Sequence, residues 1–311
     1  SILSRKKEEK MGLSKSAIKR IILDQQEEIQ EIFRDEKIIK REFNEEIKRY
    51  VSVPNILAIL GVRRCGKSIF SIQIFEKEKF GYVNFDDERF VGIKARDLNK
   101  ILEVFYEIHG KDIKCIILDE PQNICGWELF ANRLRRTKRV IVTGSNSKLL
   151  SGELATALTG RYISFTLFPF SFRELLRYYN IDTKILTTKT KAEIFRYLNE
   201  YLKAGGFPER LKFGKKIVSE IYSSILTKDV LKRAKIKKET ELKKVSNFLV
   251  SNFSKEISFT SLKNISSVKH LSTISKWVEL LQQAYLVYTC LLYTSDAADD
   301  GESVDLGGRR I

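Results

Sequence analysis

Among the 311 residues no apolar run approaches the roughly 20 that a membrane-spanning helix requires, so a membrane-spanning protein is excluded. Cysteine is sparse. Four residues without a CxxC pair lack the density of a disulfide-stapled secreted scaffold, and no charged stretch followed by an apolar core marks a secretory leader. These absences lead to the expectation of a reducing, cytoplasmic setting. The two histidines, His109 and His270, offer no metal-ligand spacing and suggest no Ser/His/Asp arrangement, which argues against zinc and triad chemistry. Acid is also in deficit: 40 Asp and Glu face 56 Lys and Arg, a formal charge of +16 that favours polyanionic partners such as nucleotides or nucleic acid. A lysine-rich solvated face gives the same composition. What the chain does have is core material, with 43% hydrophobic and 31% charged residues, and length enough for two folded domains.

The two ends read differently from the rest. Met11 is the only methionine and follows a charged, aperiodic stretch, so it is the expected start. From Cys290 the sequence CLLYTSDAADDGESVDLGGRRI resembles the translated read-through of a transposase-type sequencing-library adapter. Residues 290–311 are therefore expected to be non-native, without packing periodicity, and the native chain to be truncated there.

Between the ends four blocks follow. Residues 1–50 form a lead-in in which Ile18, Ile21, Ile22, Ile29, Ile32 and Phe33 recur at helical spacing, predicting an amphipathic helix from Ser14 to about Tyr50. Residues 51–170 alternate short apolar runs (56–60, 82–85, 115–118, 140–143, 162–167) with helical segments (98–109, 127–136), the signature of an α/β fold with a parallel sheet. In residues 171–240 helices dominate, interrupted by Gly205-Gly206-Phe207-Pro208, and a helical lid is expected. Residues 241–289 order three helices and a strand at 284–288 like a winged helix-turn-helix.

The chemistry concentrates in Gly61-Val62-Arg63-Arg64-Cys65-Gly66-Lys67-Ser68, the G-x-x-x-x-G-K-[ST] spacing of a P-loop between an apolar strand and a helix. Its glycines let the backbone curl around phosphates, so Gly61, Arg63, Arg64, Cys65, Gly66, Lys67, Ser68 and Ile69 are the expected cradle. Lys67 reaches the β/γ oxygens and the Ser68 hydroxyl binds Mg²⁺. About fifty residues on, Cys115-Ile116-Ile117-Leu118-Asp119-Glu120 is an apolar strand ending in two acids. Asp119 would support the metal and Glu120 orient or deprotonate the attacking water; a plain surface turn is the bland alternative. A third strand ends in Thr143-Gly144-Ser145-Asn146, where Ser145 and Asn146 compete to contact the γ-phosphate or the lytic water, unless both merely cap a turn. Cys65 and Cys115 read as small buried residues and not as catalytic thiols.

The strings GVRRCGKS, IILDEPQNICGW, VTGSNSKLLSGELATALTGRY, LFPFSFREL and YLKAGGFPE, in that order, resemble the AAA-type ATP-binding proteins of archaea and bacteria that carry a C-terminal domain of unknown function. The resemblance covers about residues 14–288 and extends to the signal-transduction ATPases with numerous domains. It implies an ATP-binding core using Mg²⁺, a helical lid and a winged helix. Full-length members are similar to nucleases in a further C-terminal region, which this chain does not carry, so no nuclease activity is expected. The resemblance also implies roles for Arg161, a charge-stabilising finger acting in cis or from a neighbour, and for Pro208, packed against adenine. The alternatives are a salt-bridging surface arginine and a helix-breaking turn. Arg41 would border the adenine pocket or be a solvated helix charge.

Two basic clusters, Arg133, Arg135, Arg136, Lys138 and Arg139, then Lys228, Lys232, Arg233, Lys235, Lys237 and Lys238, could meet DNA phosphates or simply be solvated. In 272–283 the stripe Ile274, Trp277, Val278 and Leu281 points to packing. The expectation is a Mg-dependent ATPase with catalytic Glu120, Lys67 and Arg161 and metal-holding Ser68 and Asp119, coupled to DNA, a protein partner or a second copy. The alternatives are a nucleotide-dependent switch or DNA-binding module with negligible turnover and, more weakly, a P-loop kinase of small molecules.

Overall fold

The computed structural model describes residues 12–51, 53–147, 160–184, 187–291 and 306–309. Met11, the centre of the string that begins VTGSNS (148–159) and residues 292–305 lie outside the described residues. Helix α1 (Lys15–Asp35) opens on Ser14, whose hydroxyl accepts from the Ala17 amide at 3.2 Å. Ile18, Ile21 and Ile22 are buried against the sheet layer, and Gln25 seals an edge: its amide accepts from the Asn84 amide (2.9 Å) and donates to the Asn84 carbonyl (3.1 Å). The helix does not run on to Tyr50. After Phe33 the apolar period gives way to Arg34, Asp35, Glu36 and Lys37, and the backbone turns extended at Glu36 (φ −111°, ψ 146°) before α2 (Asn44–Val51). That break carries Arg41 inward.

The core is one parallel sheet of β1 (Ile56–Leu60), β2 (Phe80–Asn84), β3 (Cys115–Asp119), β4 (Arg139–Gly144) and β5 (Tyr162–Thr166). Their order is β2-β3-β4-β1-β5. β1 and β3 are buried at every residue, as a parallel sheet covered on both faces demands. Helices α3 (Lys67–Ile74), α4 (Leu98–His109) and α5 (Trp127–Leu134) make the crossovers. In register, Leu60 lies beside Gly144 and Leu118 beside Val142, so the loops after β1, β3 and β4 open at one end of the sheet. The order of strands reverses around β1, and ligands of such sheets bind at that crevice.

Beyond Pro169 the chain is helical: α6 (Phe172–Tyr178), α7 (Thr188–Ala204), α8 (Pro208–Phe213) and α9 (Lys216–Ser224), which continues into a π-helical turn at Ile225–Lys232. Next come α10 (Glu239–Ser251), α11 (Phe259–Asn264) and α12 (Leu271–Gln283), whose Ile274, Trp277, Val278 and Leu281 are buried. The strand expected at 284–288 starts only at Tyr288. Residues 284–286 instead close α12, with Tyr285 at φ 59° and the Leu286 amide donating to the Leu281 carbonyl (3.0 Å), a left-handed helix stop. β6 (Tyr288–Leu291) pairs antiparallel with β7 (Leu306–Arg309). From Cys290 on, that pairing lies in the tail expected to be without packing periodicity; backbone hydrogen bonds form it without any. Among the described residues no helix is long and apolar enough to cross a membrane.

If α1 is integral to the sheet layer, Ile22→Ala should cost about 2–5 kcal/mol in urea unfolding. Leu23→Ala, on the exposed side of the same turn, should stay within about 0.5 kcal/mol.

Candidate functional site

The loop after β1 is shaped by two glycines. A Cβ on Gly61 (φ +150°) would lie 2.1 Å from the Leu167 carbonyl oxygen, and Gly66 takes φ +95° at the entry to α3. No side chain caps that helix, so its first amides, including those of Ser68 and the half-buried Ile69, are presented to an anion. Lys67 is buried and bent over its own loop, donating to the carbonyls of Gly61 (3.1 Å) and Val62 (3.0 Å). Cys65 is a structural thiol: it donates to the Leu167 carbonyl (3.2 Å) and burial raises its pKa. Burial likewise pushes Cys115 up to about 11.

Both acids after β3 reach this loop. Asp119, buried, accepts from the Tyr82 hydroxyl at 2.6 Å and from the Thr143 hydroxyl. Burial and the Asp119 carboxylate hold the Tyr82 phenol protonated well above its ordinary range, while the Ser68 hydroxyl acts on it in the opposite sense. The Ser68 hydroxyl at the entry to α3 and the Asp119 carboxylate at the end of β3 are oxygen donors of the kind a magnesium ion takes, one directly and one through water. Glu120 stands in left-handed backbone (φ 51°), costly for a residue with a Cβ and a mark of functional positions. Its amide donates to the Thr143 hydroxyl (3.2 Å), and its carboxylate lies 3.8 Å from Lys67 Nζ. The far oxygen, Oε2, accepts from Gln122, from the Ser145 amide (3.2 Å) and from the Ser145 hydroxyl (3.3 Å). Of the two competitors on the third strand, Ser145 therefore meets the acid; Asn146 is buried beside it. The plain surface-turn reading of the acids does not hold.

Three arginines tie the loop to the helical region. Arg41 is buried, and its reading as a solvated helix charge is corrected: it lies in the extended break after α1 and pairs with buried Glu174 of α6 (2.9 Å). It also donates to the carbonyls of Cys65 (3.0 Å) and Phe168 and sits 5.0 Å over the Phe170 ring. Arg63 makes a two-pronged pair with buried Asp229 of the π-helical turn (2.8 and 3.2 Å), and Asp229 holds its guanidinium protonated even more firmly than usual. Arg64, itself left-handed (φ 65°), reaches Glu209 of α8 at 2.7 Å, an exposed guanidinium on a half-buried acid. Pro208 opens α8 at its first position, where proline needs no amide partner. A Cβ on Gly66 would find Arg41 Nη1 at 3.6 Å and Pro208 Cγ at 3.9 Å, so all three border one space at the mouth of the loop.

Arg161 is placed elsewhere. It is exposed before β5, and its carbonyl accepts from the Ile56 amide at the opposite end of β1 (2.9 Å). Five strand residues span roughly 16 Å, beyond an arginine's reach, so a finger acting in cis is ruled out in this arrangement. The clusters of basic residues also divide. In the first, Arg139 pairs with Glu78 and Lys138 donates to the Ile113 carbonyl (2.8 Å). In the second, Lys228, Lys232, Lys235, Lys237 and Lys238 are exposed. Sequence reading gave no role to Tyr82, Thr143, Glu174, Glu209 and Asp229: Thr143, Glu174 and Glu209 stand in recognisable strings, but the partners of all five are far away in sequence.

Fold and loop define a P-loop nucleotide-binding protein of the α/β class. A family model described as an AAA domain matches residues 53–176, and one for a domain of unknown function (DUF8612) matches 195–304. The chain is 37% identical over 275 residues to an uncharacterized protein of Methanocaldococcus jannaschii, covering 83% of this chain and 60% of that protein. It is 31% identical over 277 residues to an uncharacterized protein of Haemophilus influenzae, covering 82% and 67% respectively. The Walker-type ATPase of Pyrococcus abyssi shares the fold, with a TM-score of 0.53 at 15% identity over 82% of this chain and 92% of that one. The chain belongs to the AAA-type P-loop ATPase family that carries a C-terminal domain of unknown function. It spans about 60% and 67% of the length of the two curated relatives.

Glu174→Ala should destabilise the chain by about 3–5 kcal/mol in urea, because it strands the Arg41 charge in the interior. Glu209→Ala, which breaks only the pair with exposed Arg64, should cost less than about 1 kcal/mol. In native protein at pH 8 a thiol reagent should modify exposed Cys125 and Cys290 and spare Cys65 and Cys115, whose raised pKa values and burial keep them inert until unfolding.

Proposed function

We propose that the chain binds ATP with Mg²⁺ and hydrolyses it. The observation that carries this reading is the gathering of Lys67, Ser68, Asp119 and Glu120 at one end of the sheet, with Lys67 Nζ 3.8 Å from the Glu120 carboxylate. The amides of 61–69 cradle the β- and γ-phosphates, and Lys67 exchanges its two loop carbonyls for phosphate oxygens. Ser68 and Asp119 are the pair that would hold Mg²⁺, which would supply charge neutralisation on the phosphates. Glu120, fixed by Ser145, Gln122 and its strained backbone, orients the attacking water and takes its proton. Pro208 and Arg41 border the place of the adenine, and Asn146 stands within the polar cluster at the end of β4.

Arg161, at the far end of the sheet, serves the reaction as a charge-stabilising finger only by entering the site of a neighbouring copy, which makes a homo-oligomer part of the proposal. Residues 241–289, with their three helices and the start of β6, are read as a winged helix. Coupling to DNA rests on the exposed lysines of 228–238 that lead into it. A switch with negligible turnover is the second reading, favoured by the pairs that link the loop to α6, α8 and the π-helical turn.

Steady-state phosphate release from ATP tests the primary reading. Glu120→Gln should lower kcat on the order of 10²–10⁴-fold while Mg-ATP still binds, and Lys67→Ala should abolish binding. Tight Mg-ATP binding without turnover in the unaltered chain would instead establish the switch, and phosphate transfer to an added acceptor a kinase. Stimulation by duplex DNA, lost on neutralising Lys235, Lys237 and Lys238, would support the DNA partner.

A further inference from the structure

The Ser145 hydroxyl lies between two carboxylates. It is 3.3 Å from Glu120 Oε2 and 3.0 Å from Asp229 Oδ1, yet it has one proton to give. Asp229 belongs to the π-helical turn Ile225–Lys232, a helical form found mostly at functional positions, and it is buried to 1% exposure. Its Oδ2 takes the Arg63 Nε (2.8 Å), while Oδ1 takes Arg63 Nη2 (3.2 Å) and faces Arg233 Nη2 at 3.6 Å. A buried carboxylate so fully paired on one side still draws the serine proton on the other.

From this geometry we infer that Asp229 is a positioning residue for hydrolysis, acting on Glu120 through Ser145. The inference rests on the ATPase reading. The Ser145 amide keeps its bond to Glu120 in either state, so the hydroxyl is the variable part. With the hydroxyl proton turned to Asp229, Glu120 Oε2 is held by the Gln122 and Ser145 amides alone, and the carboxylate presents Oε1, on the Lys67 side, to the attacking water. With Asp229 withdrawn, the hydroxyl turns to Glu120 and draws the carboxylate toward β4, away from that water. The same carboxylate holds Arg63 of the phosphate loop, so the position of the π-helical turn and the readiness of the base become one variable. A partner that moves the helical region thereby sets turnover without touching ATP.

The test uses the full chain with Asp229→Asn, Ser145→Ala and the double variant. Three quantities are read: kcat, Mg-ATP affinity by titration with a fluorescent ATP analogue, and urea stability without nucleotide. An amide at 229 donates to Ser145 and forces its hydroxyl onto Glu120, so Asp229→Asn should lower kcat about tenfold, as losing one charge-assisted bond at the transition state does. Affinity should hold within about threefold, a split that loss of structure alone does not produce. Ser145→Ala takes the hydroxyl from both carboxylates, so its kcat should fall less than that of Asp229→Asn. The double variant should recover to the Ser145→Ala level, since no hydroxyl remains to turn to Glu120, and the two changes should be non-additive in urea as well. If Asp229→Asn does not fold, Asp229→Glu replaces it, keeping the charge opposite Arg63 while displacing the carboxylate from Ser145, with the same expectation. A double variant whose kcat stays at or below that of Asp229→Asn, or a kcat unchanged by Asp229→Asn, would overturn the relay while leaving the ATPase reading intact. An unaltered chain that binds Mg-ATP but never turns over would overturn both.

Discussion

A buried guanidinium must find an anion, and around this phosphate loop each arginine finds it in another part of the fold. Arg41 meets Glu174, Arg63 meets Asp229 and Arg64 meets Glu209, so α6, the π-helical turn and α8 are all fastened to residues 61–68 or to the segment that braces them. Two of these pairs have a buried acid, and for such pairs the net gain over an apolar contact is small while the loss of one partner is expensive. They therefore fix arrangement more than they add stability. The first turn of α3 can stay uncapped because the loop before it is held from three sides.

The acids of β3 are positioned by a different device. Because β4 lies between β1 and β3, its Thr143 and Ser145 stand beside both the phosphate loop and the acidic pair. Thr143 serves Asp119 through its hydroxyl proton and the Glu120 amide through its oxygen, which fixes the two acids relative to each other. The left-handed backbone at Glu120 turns its side chain toward Lys67 instead of along the strand. Strain of that kind persists only where the surroundings over-determine it, and here four hydrogen-bonding groups do.

Much of this was legible before any coordinates. Runs such as Ile56–Leu60 and Cys115–Asp119 are apolar throughout because their strands are buried on both faces, and the loop motif is local, so five strands and Lys67, Ser68, Asp119 and Glu120 could be read directly. What escaped was long-range pairing. Nothing adjacent to Asp229 announces a partner 166 residues away, and Arg41 looks solvated until the break at Glu36 brings it inward. Arg161 shows the complementary limit: its motif is recognisable, but only the register of β5 against β1 reveals which end of the sheet it occupies. The strand placed at 284–288 was misread because Ala284-Tyr285-Leu286 is apolar enough for a strand, yet is spent on ending α12.

If nucleotide is held by the loop and felt by the helices paired to it, hydrogen exchange with and without Mg-ATP reports both at once. The account predicts slowed exchange at the amides of 62–70 together with a change across 225–233, where Asp229 connects to the loop. Protection confined to the loop, with 225–233 unaffected, would contradict the claim that base, loop and helical region act as one unit.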